Sequence, residues 1–539
     1  MLTLRIFHRS FVYGRPRRFP KLDIRDLRIS AVEFKGAPVK FEIAENGALG
    51  QELNVQLGAA LQKGEEEKLQ VTYTTSPNGA TALQFMEKEL TSDKKGPFLY
   101  SQCQAIHARS IVPSMDTPAV KQTYSAEVSV PSDLVCLMSG LSTGSEVRGD
   151  RTVFRFEQPV AVPSYLIAIV VGVLAKRNIS ERCAVWAEAS VVEKAAWEFA
   201  DTEKMLQTAE QLMGPYEWGR YDMVVLPAFN PCLTFITPTL IAGDRSLANV
   251  VAHEIAHFVD RKPRDQQVVG TLLVERGLHG ARQFENITGW EDELIPEIHE
   301  TFSTVHEYTK LVQNLGKADP DDAFSRIPYD KGSAFLLYLE QQLGSNERFE
   351  EFLKAYVKKF RRQSISSDDW LAFLREFFAD KKEVLERVDF DGWLNKPGVP
   401  PNKPNYDESL VQKCRDLAAK WTAAPLESLG KEDAEEAPNW TTSGWLLLEK
   451  AYGLDKTGNY ELLHTFYQIA LKAEWPPVVE KALQFVTVCG RMKYVKPLYK
   501  RLFAWPHSRQ QALDTLQKNK PVMHPITFIC VSNLLQPQK

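Results

Sequence analysis

With 539 residues the chain is too long for a single hydrophobic core, and a prior of about 150 residues per domain suggests three or so. Apolar residues make up 44% and charged residues 25%, the balance of an ordinary globular protein and not of a disordered or fibrous one. The net charge of -4 gives no reason to expect nucleic acid or an anionic membrane as a partner.

Residues 1–21 are rich in Arg and free of acidic side chains, the composition of a mitochondrial transit peptide. Pro16 and Pro20 break any amphipathic helix there, so the stretch is expected to be an atypical basic lead-in. Residues 22–185 read as a β domain: Val71–Thr74, Tyr124–Val130 and Val153–Phe156 alternate apolar and polar residues between Pro and Gly punctuation. That pattern predicts a β-sandwich or a saddle-shaped sheet. The longest apolar run, Tyr165–Ala175, is about half a membrane span and is expected to be a buried strand, so no membrane span is predicted.

From Ala189 the period turns helical, with one helix predicted over Val192–Leu206, followed by short strands at Met223–Leu226 and Leu233–Ile236. The next stretch, Ser246–Phe258, carries the chemistry. Ser246 is placed as its N-cap, and Leu247, Val250, Val251 and Ile255 give the helix an apolar side. His253 and His257 are four residues apart, one turn above each other on one face, where both imidazoles can share one tetrahedral Zn²⁺. Glu254 then stands beside the metal, able to take a proton from the attacking water and hand it to a leaving amine. Three amphipathic helices follow, at Gly332–Leu343, Arg348–Phe360 and Asp368–Phe378, and complete a small α/β zincin-like domain over residues 186–395.

The proline-rich stretch at residues 396–407 reads as a linker. Residues 408–539 are almost wholly helical in pattern, with segments such as Trp445–Tyr452 and Tyr460–Leu471, and predict a stacked helical layer. Seven cysteines (Cys103, Cys136, Cys183, Cys232, Cys414, Cys489 and Cys530) are scattered with no CxxC pair, which reads as reduced thiols in a cytoplasmic protein.

Beyond the HExxH helix, the stretches Ser101–His107, Asn230–Asp244, Ile327–Gly332, the proline linker and Gly490–Tyr494 occur in an order that resembles the M1 (gluzincin) family of zinc aminopeptidases, in its leukotriene A-4 hydrolase-like branch. The resemblance implies a multi-domain α+β architecture: a β-sandwich-like N-domain, a thermolysin-like α/β catalytic domain and an all-α helical C-domain. It implies a zinc metallopeptidase acting on peptide substrates, with fatty-acid epoxide hydrolysis as a second activity. By position, Tyr329 would donate to the developing oxyanion, Gln104 would line the first substrate pocket, and Asp321 would assist the epoxide reaction. Arg491 and Lys493 would grip a substrate carboxylate; read alone, they are a solvated basic turn.

The chain departs from the family pattern in three places. Phe229 stands where the family's GxMEN glutamate binds the free amine of a peptide. Glu275 is the candidate third metal ligand but lies one residue short of the family spacing. A second alignment of Val274–Gly280 puts Val268 at the ligand position and leaves Glu275 two helical turns away, a rise of about 10 Å. The start is also short of the family's first strands, which would leave a sheet edge unpaired. A catalytically inactive member acting as a binding or scaffold protein is therefore the alternative function.

Overall fold

The computed structural model describes residues 3–9, 20–59, 67–77, 79–226, 235–259, 290, 294–344, 346–361, 363–406, 408–423, 442–523 and 525–535. The first zone is antiparallel β structure throughout. One four-stranded sheet runs in the order Thr3–Arg9, Lys121–Pro131, Arg151–Pro163, Leu141–Arg148. A second takes Val135–Met138, Ile169–Gly172, Phe98–Ser101 and Leu83–Met86, and two three-stranded sheets use the chain between Lys21 and Thr75. In Lys121–Pro131 every second residue, from Gln122 to Val130, is buried, so the alternation read from the sequence is the two-faced pleat of a half-covered strand.

Part of the basic N-terminal stretch, expected as a lead-in, is paired: Thr3–Arg9 is the outermost strand of the first sheet, with Leu4 opposite Val128 and Ile6 opposite Ala126. Period-2 alternation in Leu4-Arg5-Ile6 suits an edge strand, and the Arg content that suggested targeting is common on such edges.

The second zone begins earlier than the sequence pattern placed it. Ala175–Asn178, expected within the β domain, and Cys183–Ala187, which straddles its expected end at residue 185, form with Tyr221–Val225 and Phe235–Ile236 a separate four-stranded sheet, antiparallel at its first pair and parallel thereafter. The single helix expected over Val192–Leu206 is two, Val192–Glu198 and Thr202–Met213; the Thr202 hydroxyl bonds back to the Phe199 carbonyl at the break. These helices, the sheet and the HExxH helix share one core that includes Val185, Phe199, Leu206, Met223, Val251 and Ile255. A second core, rich in aromatic residues from Phe335 to Trp393, joins the helices Ile327–Leu343, Asn346–Lys359 and Ser367–Phe377.

The linker is strapped to the helix Ile327–Leu343 at two points. Near one end of the helix, the fully buried Lys331 ammonium donates to the carbonyls of Thr309, Lys396 and Gly398 at 2.9, 3.2 and 3.1 Å. Near the other end, the Gln341 side chain both donates to Asn405 O at 2.6 Å and accepts from Asn405 N at 2.9 Å. A proline segment cannot pair its own backbone groups in a helix, so side chains of a neighbouring helix satisfy them instead. Beyond it the described chain is helical from Ser409–Ala423 to Pro525–Leu534, and the helices from Thr442–Ala451 onward pack around Trp445, Phe466, Trp475, Tyr494 and Leu498.

Candidate active site

The HExxH helix spans Asn249–Val259 and buries Val251 and Ile255 in the core, as its apolar side requires. Ser246 does not cap it. Its hydroxyl donates to Asp244 Oδ1 at 2.5 Å and its backbone N–H donates to the same oxygen at 2.9 Å, three residues before the helix starts. The turn leading into the helix is instead fixed by the buried Glu198, whose two oxygens accept from Gly243 N and Arg245 N, both at 2.8 Å. Arg245, with φ of 64°, lies over the Trp197 ring at 4.5 Å and pairs with Asp201 at 3.1 Å.

His253 and Glu254 therefore sit on a helix with a rigid approach. Burial pushes the His253 imidazole down to about 4, which leaves it neutral with a lone pair to offer a metal, and pushes the Glu254 carboxyl up to about 7. His257 lies in the same helix, though its side chain is outside the described residues. Glu275, Val268 and Phe229 also lie outside them. Among the described residues no three His, Cys, Asp or Glu side chains form a metal-holding group.

Tyr329 comes to the same place from another element. The helix Ile327–Leu343 starts five residues earlier than periodicity placed it, with Pro328 in its first turn, where a missing N–H costs nothing. Tyr329 is in that turn, and its ring stacks on His253 with centroids 6.1 Å apart and planes at 28°. An imidazole and a phenol thus meet from two helices.

Asp321 meets the β zone through His107, three residues after Gln104. Gln104 is exposed in the loop after Phe98–Ser101, and three residues on, His107 is buried with Nδ1 2.8 Å from Thr81 Oγ1 and Nε2 2.8 Å from Asp321 Oδ2. With Asp321 ionised, Nε2–H donates to it and Nδ1 accepts the Thr81 hydroxyl. Asp321 lies in the short turn Pro320–Ala323 that leads to the tyrosine helix, and it keeps about half its side chain, 54%, in solvent.

Arg491 and Lys493, read alone as a solvated basic turn, both have partners, and Lys493 stays partly in solvent. Arg491 immediately precedes the helix Met492–Ala504, lies over the Tyr494 ring at 5.3 Å and donates to the Tyr494 hydroxyl at 3.3 Å. Lys493 Nζ reaches Glu461 Oε1 at 2.5 Å, and burial, Arg491 and Arg326 lower its pKa while Glu461 raises it. Arg326 directly precedes the tyrosine helix, so the basic pair faces the element that carries Tyr329. The two zones are pinned at this corner: Asn459 Nδ2 donates to Ser246 Oγ at 2.8 Å, and Gly458 lies so close to Ala242 that an added Cβ would stand 2.4 Å from its carbonyl oxygen. Asn459 and Glu461 were not singled out from the sequence; an Asn two residues before a Glu at the start of an apolar-periodic run was the available signal.

Comparison with known proteins matches three family descriptions along the chain: the peptidase M1 N-terminal domain over residues 20–166, the peptidase family M1 domain over 278–393, and the leukotriene A4 hydrolase C-terminal region over 426–535. A leukotriene A-4 hydrolase of Xenopus laevis is 39% identical, covering 95% of this chain and 90% of that protein. A leucine aminopeptidase 2 of Aspergillus fumigatus is 34% identical, covering 94% and 88%. The solved structure of native leukotriene A4 hydrolase from Saccharomyces cerevisiae superposes with a TM-score of 0.88 at 30% identity, covering 99% of this chain and 92% of that one. An M1 zinc metallopeptidase from Deinococcus radiodurans, 20% identical with a TM-score of 0.54, shares the fold over 73% of this chain and 89% of that one.

Proposed function

We propose a function from one premise: this chain belongs to peptidase family M1, in its leukotriene A4 hydrolase branch. The reading is a zinc-dependent aminopeptidase that releases N-terminal residues from short peptides, with hydrolysis of a fatty-acid epoxide as a second reaction of the same cleft. The observation that carries it is the stacking of Tyr329 on His253, the residue before Glu254 on the HExxH helix.

His253 and His257 would hold zinc, with Glu275 as the proposed third ligand; the neutral imidazole of His253 and its place on the helix suit that role. Bound zinc supplies Lewis acidity and acidifies a water at neutral pH. Glu254, one residue along the helix, takes the proton of the attacking water and delivers it to the leaving amine. Tyr329 donates a hydrogen bond where negative charge develops on the scissile oxygen. Gln104 lines the near end of the cleft, and Arg491 with Lys493 binds the substrate carboxylate at the far end. Asp321, oriented by His107, is the carboxylate assigned to the epoxide reaction.

Localisation in a reducing, cytoplasmic compartment fits Cys103, Cys136, Cys183, Cys414, Cys489 and Cys530, none of which is in a disulfide. Among the described residues no helix is long and apolar enough to cross a membrane. The alternative of an inactive binding protein rests on Phe229 replacing the amine-binding glutamate. Purified Glu254→Gln decides between the two readings: hydrolysis of an aminoacyl substrate should fall by about 10²-fold or more with bound zinc unchanged. Wild-type protein that binds zinc but turns over no better than Glu254→Gln would overturn the enzymatic reading.

A further inference from the structure

At the corner where the C-terminal helices face the tyrosine helix, a carboxylate already stands among the cations. Glu461 Oε1 accepts from Lys493 Nζ at 2.5 Å and from the Tyr494 hydroxyl at 2.8 Å. The Tyr494 hydroxyl in turn accepts from Arg491. Glu461 is held by its own backbone as well. It is the second residue of the helix Tyr460–Lys472, and its N–H donates to the Asn459 side chain at 2.9 Å; Asn459 is itself tied to Ser246. An acidic side chain in the first turn of a helix is also favoured by the helix dipole.

Glu461 thus makes to Lys493 the contact that an incoming carboxylate would make. The electrostatics are consistent with a shared anion site: Lys493, Tyr494 and Arg491 all favour the ionised form of Glu461, against the opposing effect of burial. His464, one turn further along the same helix, is pushed down to about 4 by burial, so it adds no positive charge at neutral pH.

We propose that Glu461 is the built-in counter-ion of this anion pocket and a specificity-determining residue: it holds Lys493 in place and tempers the pocket's positive charge, so that a peptide's C-terminal carboxylate is bound by sharing Lys493 with Glu461. The inference rests on the reading of Arg491 and Lys493 as the carboxylate-binding pair. It makes a prediction opposite to that of a purely structural role. Glu461→Gln keeps an oxygen that can accept from Lys493 and Tyr494 but removes the competing charge.

The test compares kcat/KM for Ala-Ala-Ala and its C-terminal amide at pH 7 in the zinc-loaded protein, for wild type, E461Q, R491Q, K493Q and the double variant E461Q/K493Q. The acid-to-amide preference should rise about fivefold or more in E461Q at low ionic strength, and the gain should shrink with added salt. R491Q and K493Q should each lower it, and the double variant should lie between K493Q and E461Q, which gives a reading even if one single variant folds poorly. A preference that is unchanged or lower in E461Q, while R491Q lowers it, would overturn the counter-ion proposal alone. If R491Q and K493Q both leave the preference unchanged, the carboxylate-pocket reading itself fails, and the proposal with it.

Discussion

Lys331 offers the sharpest test of how the fold holds its reactive residues, because its fully buried ammonium donates to three carbonyl oxygens, on Thr309, Lys396 and Gly398. Lys331→Met keeps the length and apolar stem of the side chain but removes all three donors. A buried acceptor left dry costs about 1–3 kcal/mol, so three cost about 6 kcal/mol at the middle of that range. Against this, burial lowers the Lys331 pKa from 10.5 to about 8, a penalty of about 3 kcal/mol on the charged form that the substitution relieves. The net expectation is a loss of about 3 kcal/mol at pH 7.

The pH dependence gives a second, independent sign. The folded pKa lies below the unfolded one, so between pH 8 and 10.5 the unfolded chain binds more protons and wild-type stability rises with pH through that window. Lys331→Met lacks this group, so its deficit against wild type should widen by about 2 kcal/mol between pH 7 and pH 10. Urea unfolding of both proteins at the two pH values measures the difference, and titration of all other groups cancels in the comparison. No loss at pH 7, or a deficit that narrows at pH 10, would refute the account of Lys331 as a buried charge satisfied by carbonyls.

Three further expectations follow from the site. On the proposed role of Tyr329 as donor to developing charge, Tyr329→Phe should lower kcat by about 10²-fold with KM nearly unchanged; a change mainly in KM would mean that Tyr329 binds substrate in the ground state. Asn459→Ala loses the cap on Glu461 N and Leu462 N and the bridge to Ser246, costing about 1–2 kcal/mol, and should lower the melting temperature while raising KM for peptides with a free carboxylate. An unchanged KM would show that the Asn459–Ser246 bridge does not set the position of the basic pair. With Phe229 in place of the amine-binding glutamate, hydrolysis should discriminate only weakly between a free aminoacyl substrate and its N-acetyl form; a large preference for the free amine would place another carboxylate in that role.

Residues that act through local spacing were legible without a fold. The HExxH spacing fixes His253 and His257 on one face of a helix, and the apolar positions Val251 and Ile255 say which side is buried. The alternation in Tyr124–Val130 likewise fixes a two-faced strand, since side-chain direction on a strand has a period of two. Boundaries were less legible. The helix Ile327–Leu343 begins within a Pro-containing turn that breaks the apolar period, and Ala175–Ala187 reads equally well as a strand of either neighbouring sheet. Ser246 has the chemistry of a cap, but the nearby Asp244 and Asn459 engage its hydroxyl instead.

What tertiary structure alone decided is which distant residues meet. His253 and Tyr329, 76 positions apart in the numbering, face each other because two helices pack, and no periodicity encodes that distance. The role of His107 depends on Asp321 arriving from another zone, and that of Lys331 on a linker laid across its helix. Taken alone, Arg491 and Lys493 make an ordinary basic turn; in the fold Lys493 pairs with Glu461 and feels the charge of Arg326. Local sequence sets backbone preference and the side each residue presents, because those depend on neighbours a few bonds or one turn away. The charge a group carries and the partner it finds depend on burial, which only the packing of whole elements determines.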